Sequence, residues 1–141
     1  MSLTNVVPTD DSTTAGLVCA HHHLYSALAR GMPAPPRTPT TFLEVLEQVW
    51  WRLDAALDLE MLEWSAKLGA LEALEAGCTA IIDHHESPNA IEGSLSVIAD
   101  ACAEVGVRVN TCYGVTDRHA VLSEQVGTPP TFTPIVGRVA K

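Results

Sequence analysis

Three consecutive histidines, His21, His22 and His23, stand directly behind the apolar run "GLVCA" (Gly16 to Ala20) and make up half of the 6 His in 141 residues. In extended backbone successive side chains alternate, so His21 and His23 point to one side and His22 to the other. Two imidazoles in that relation approach a single Zn²⁺ or Fe²⁺ at about 2.1 Å each and leave positions for further ligands and a water. An isolated HxH also suits a surface loop or a set of satisfied histidines. Its place after a buried strand is what favours ligation, because parallel sheets carry their sites at the C-terminal strand ends.

The run "TAIID" (Thr79 to Asp83) ends in the same way, in "DHHES". His84 and His85 there are candidates to orient a substrate or to back the metal ligands. Asp117 and His119 in "TDRH" are a weaker third cluster. Other chemistries find no support: no GxGxxG follows a strand, and there is no GxxxxGK and no GxSxG. Trp50 and Trp51 fall in a helical pattern and read as packing residues. Arg30 reads as a surface residue within reach of an anionic group.

Positioning such clusters takes a sheet and crossover helices. "FLEVLEQVWWRLDAAL" follows a proline-rich loop (Pro33, Pro35, Pro36, Pro39) and is expected to be a helix capped by Thr40 or Thr41. Asp58 is the expected N-cap of "LEMLEWSAKLGALEALEA", with Leu59, Leu62, Ala66, Gly69, Ala70 and Ala73 on one uncharged face. Gly77 then sits where a helix-ending glycine belongs. Ile91, Leu95, Ile98, Cys102 and Val105 line the next helix, Gly106 ends it, and "VRVNTCY" reads as a strand. The order strand, helices, strand, helix, strand calls for parallel strands joined by helical crossovers. Residues 1–15 read as an irregular lead-in, 16–119 as the β/α unit, and 120–141 as an irregular tail or a segment foreign to the fold.

Hydrophobic residues make up 47% of the chain and charged ones 18%, enough to bury a core. The net charge of −9 comes with no basic stripe, which argues against nucleic acid as a partner. Four cysteines, Cys19, Cys78, Cys102 and Cys112, lie apart in apolar segments and suit reduced thiols. The N-terminus does not read as a secretory signal, and no apolar run approaches the roughly 20 residues of a membrane span. The expectation is a cytoplasmic protein with no membrane partner.

"AGLVCAHHHLYSALARGM" resembles the first strand of the amidohydrolase superfamily, in its cytosine-deaminase/chlorohydrolase-like branch, and "LEALEAGCTAIIDHHESPNAIEGSL" resembles that branch's second strand. With "VWWRLDAALD" the match is closest to the SsnA-type aminohydrolases, over about residues 16–119. The resemblance implies an α/β fold, a partial (β/α)8 TIM-like barrel holding the first three strands and their helices. It implies a divalent metal, Zn or Fe, with His21 and His23 as first-strand ligands and His84 and His85 near the substrate. The implied reaction is hydrolysis of a C–N bond in a cyclic amidine, nucleobase or related small molecule by metal-activated water. Family members complete the ligand set with later-strand histidines and an Asp. No His follows His119 here, and Ala15 replaces the usual proline. A truncated or frameshifted product, inactive alone and covering its apolar faces by oligomerising or by pairing with a complementing chain, is therefore expected. The competing expectation is a small non-catalytic α/β protein that binds metal or a partner. An open flavodoxin-like module would need a phosphate loop, which is not found.

Overall fold

A computed structural model describes residues 14–114 and the backbone of residues 138–139. The expected Asp117–His119 cluster, most of the lead-in and most of the tail lie outside the described residues. Strand β1 (Leu17–His22) leads into a 3₁₀ helix over Leu24–Gly31. After the proline-rich loop come α1 (Phe42–Val45), a π-helical turn at Leu46–Trp50, α2 (Trp51–Ala56) and α3 (Leu59–Glu75). Strand β2 (Cys78–His85), helix α4 (Ser94–Val105) and strand β3 (Arg108–Tyr113) follow, and β4 (Arg138–Val139) pairs antiparallel with β3. The sheet order is β1-β2-β3-β4, with β1, β2 and β3 parallel. The succession β1, helices, β2, α4, β3 is the α/β order expected from the sequence; the antiparallel β4, in the segment read as an irregular tail, is not.

Local chemistry sets the boundaries. Thr41 caps α1 through the Glu44 N–H, and Asp58 caps α3 through the Met61 N–H. Gly77 (φ +83°) and Gly106 (φ +95°) turn the chain out of α3 and α4 in the left-handed region, which explains glycine at both points. The helix expected over residues 42–57 is broken by the π turn, where the Trp51 N–H reaches back five residues to the Leu46 carbonyl.

One face of the sheet is packed. Ile81 and Val109 meet Ala66, Ala70 and Ala73 of α3 and Ile98, Ala99 and Cys102 of α4. The small residues on α3 let it approach closely; a Cβ on Gly69 would come within 2.9 Å of Leu24 Cδ2. Ser65 is buried on this face, its hydroxyl donating to the Leu24 carbonyl at 2.7 Å, whereas Leu59 is exposed. On the opposite sheet face Val18 and Ile82 remain 59% and 46% exposed. Among the described residues, no helix is long and apolar enough to cross a membrane.

Candidate functional site

The strand-end histidines gather at one rim of the sheet. His21 Nε2 and His23 Nε2 lie 3.1 Å apart, while His22 turns to the other side, its ring beside Gly69 of α3. Two nitrogens at bonding distance from one zinc sit about 3.3 Å apart in a tetrahedral arrangement and about 2.9 Å apart in an octahedral one. The observed separation falls between them.

The His23 ring is held from behind. Its Nδ1 is 2.9 Å from the His84 carbonyl, which can only accept, so Nδ1 carries a proton. In the neutral ring this leaves the Nε2 lone pair facing His21. Without a metal, the Nε2–H of His21 donates into that lone pair; accepting a cation requires His21 to move its proton to the exposed Nδ1 side. A buried carbonyl or carboxylate behind a histidine is the usual device for orienting a metal ligand. The pair therefore fits two positions of a divalent metal. Among the described residues no group of three or more His, Cys, Asp or Glu side chains is arranged to hold one.

Asp83, the register partner of His22 on β1, has 0% exposure. It accepts from the Leu24 N–H through Oδ1 and from the Thr111 hydroxyl through Oδ2, each at 2.7 Å. Burial raises its pKa, while the two hydrogen bonds and the nearby His22 and His23 pull the other way. Burial likewise lowers the pKa of His22, opposed chiefly by Asp83.

The two histidines of "DHHES" separate. His84 reaches the rim, its ring perpendicular to that of His23 with centroids 5.6 Å apart, and it lies over Gly114, where a Cβ would come within 2.7 Å of Cε1 and Nε2. His85 points into the protein, 0% exposed, with its ring edge-on to Tyr25 and Tyr113. The Ser87 hydroxyl donates to the Ala90 carbonyl, so it accepts from His85 Nε2–H at 2.7 Å. Burial, with a smaller push from His84, lowers the His85 pKa to about 3, so the ring stays neutral.

A cavity of about 310 Å³ opens beside His23 and His84. Tyr25, Phe42, Leu46, Trp50 and Trp51 form its apolar wall, and Asp54 and Glu86 add two carboxyl groups. Both tryptophans, taken from the sequence as packing residues, belong to this wall. The π turn is the reason: in its wider coil, positions four and five residues beyond Leu46 swing to the same side as Leu46 itself. Arg30 stands on the surface, paired with Glu72. Tyr25, Thr111 and Gly114 carry no signal of their own in the sequence, since each draws its importance from a neighbour on another element.

Histidines on the C-terminal ends of parallel strands, beside a cavity walled by the following loop and helix, define a β/α protein with a strand-end site. The sequence profile of the amidohydrolase family matches residues 13–138, and the chain belongs to that family. It is 32% identical over 111 residues to a 5'-deoxyadenosine deaminase of Methanopyrus kandleri, covering 76% of this chain and 22% of the relative. A 5-methylthioadenosine/S-adenosylhomocysteine deaminase of Archaeoglobus fulgidus is 33% identical over 105 residues, covering 73% and 22%. The fold is similar to that of an amidohydrolase from an environmental sample of the Sargasso Sea, with a TM-score of 0.53 and 20% identity, over 78% of this chain and 22% of that one. The chain thus spans about a fifth of the length of these relatives, in keeping with a partial barrel.

Proposed function

We propose that this chain carries the first-strand metal ligands and part of the substrate wall of an aminohydrolase that removes an amino group from a planar heterocycle. The observation that carries this reading is the 3.1 Å approach of His21 Nε2 and His23 Nε2 at the edge of the aromatic cavity. The two histidines hold a divalent metal, Zn or Fe, which when bound supplies a Lewis acid able to make water nucleophilic near neutral pH. His84 contacts the substrate at the cavity edge, and His85 supports that wall from within. Trp50, Trp51, Tyr25 and Phe42 offer faces and edges for stacking a flat ring. Asp54 and Glu86 accept hydrogen bonds from ring or amino N–H groups, and no Lys or Arg lies among the described lining residues. A neutral or cationic small molecule fits this wall better than an anion. The relatives named for deamination of adenine nucleosides support the same class of substrate.

With two protein nitrogens as its metal donors among the described residues, and no proton-shuttling carboxylate at the pair, the chain is inactive by itself in this reading. An oligomer or a complementing chain would supply what is missing. The four free thiols suit a reducing compartment, and the cytoplasm is the proposed location. The test is a Zn²⁺ and Fe²⁺ titration of the purified chain followed by elemental analysis, repeated on His21→Ala/His23→Ala. Metal retained by the parent and lost by the double variant is expected. Equal metal content in the two proteins would overturn the assignment.

A further inference from the structure

We infer that Asp83 is the positioning residue that fixes the exit of β1 and so the placement of His23, acting as an N-terminal cap supplied from a neighbouring strand. The inference rests on the ligand reading above and extends it to a residue that touches neither metal nor substrate.

The end of β1 is where ordinary sheet pairing fails. The β1–β2 register is irregular between Cys19 and His22, so a regular ladder does not fix the backbone that carries the histidines. The next element, the 3₁₀ helix, begins at Leu24, and its N-cap residue His23 makes no side-chain capping bond. The leading N–H groups of a helix need acceptors from elsewhere. Asp83 Oδ1 provides one, accepting from the Leu24 N–H at 2.7 Å across 59 residues of sequence.

The adjacent residue completes the grip. The His84 carbonyl takes the proton of His23 Nδ1 at 2.9 Å. Two consecutive residues of β2 thus hold two consecutive residues at the exit of β1, one by its ring and one by its backbone. Thr111 closes the clasp from β3, its hydroxyl donating to Asp83 Oδ2 at 2.7 Å. A carboxyl group buried this completely is costly unless its oxygens are well bonded, and here both are. A core position needing only volume would be filled by an apolar residue, as at Ile81 two residues earlier.

The test uses the 141-residue chain and two readouts. In the metal-free protein, long-range ¹H–¹⁵N correlations of the His23 ring are expected to show the Nδ1–H tautomer, a tautomer mixture in Asp83→Ala, and the parent pattern again in Asp83→Asn, whose amide oxygen still accepts from Leu24. In Zn²⁺ titrations Asp83→Ala is expected to bind about 10- to 100-fold more weakly, the range found for supporting groups behind metal ligands, with Asp83→Asn within a few-fold of the parent. Val109→Ala, a buried neighbour on β3, serves as a destabilised control that keeps its Zn²⁺ affinity. Parent-like tautomer and affinity in a folded Asp83→Ala would overturn the inference, as would an equal loss of affinity in Val109→Ala. Should Asp83→Ala not fold, Thr111→Val carries the test: several-fold weaker Zn²⁺ binding supports the clasp, and unchanged affinity overturns it. If the parent binds no Zn²⁺, the ligand reading fails, and the tautomer comparison still decides the clasp.

Discussion

His85 should make the protein acid-sensitive well above the range where its carboxylates titrate. The ring is fully buried between Tyr25 and Tyr113, with its Nε2–H on Ser87, and its pKa falls to about 3 because burial opposes the charged form. Unfolding returns the imidazole to its ordinary value near 6.5. Between those two values the unfolded chain binds the proton and the folded chain does not, so stability falls as the pH is lowered through about 6.5 and levels off near 3. The slope approaches about 1.4 kcal/mol per pH unit, which gives a loss of about 2 kcal/mol at about pH 5 relative to neutral pH. His22, also depressed by burial, contributes with the same sign. Asp83, whose folded pKa is raised, contributes with the opposite sign, because the folded state then holds a proton that the unfolded state has released. The comparison isolating His85 is therefore the difference between the parent and His85→Gln, which keeps a donor for Ser87 and cannot charge. Urea unfolding followed by circular dichroism, at steps from about pH 7.5 down to about pH 5, should show the parent losing about 2 kcal/mol more than the variant. Parallel stability–pH curves for the two proteins would refute the reasoning.

Two further substitutions probe the frame of the site. Gly114→Ala places a methyl group within 2.7 Å of the His84 ring, and such overpacking costs about 1–3 kcal/mol. Part of that loss should vanish when Gly114→Ala is combined with His84→Ala, the rest coming from Glu86 Cγ, which the methyl meets at 2.9 Å. Strictly additive losses in a double-mutant cycle would show that the ring is not what the methyl meets. Ser65→Ala removes the buried donor to the Leu24 carbonyl and should lower unfolding stability by about 1–2 kcal/mol. An unchanged denaturation midpoint would mean that this carbonyl has a second donor.

The sequence alone determined the order of β1, α3, β2, α4 and β3 and the alternation that puts His21 and His23 on one side. Capping by Thr41 and Asp58, the left-handed glycines at 77 and 106 and the alternation of His21 with His23 are all local rules, operating over one to four residues. The amidohydrolase resemblance followed from the same short stretches. Tertiary structure decided what those rules leave open: that His84 stays at the rim while His85 is buried, that a π turn brings both Trp50 and Trp51 to the cavity, and that Asp83 reaches Leu24 and Thr111. These depend on the register between strands and on how closely α3 and the 3₁₀ helix pack. A hydrogen bond between residues 59 positions apart has no periodicity to betray it, and it exists only once β1 and β2 have been laid side by side.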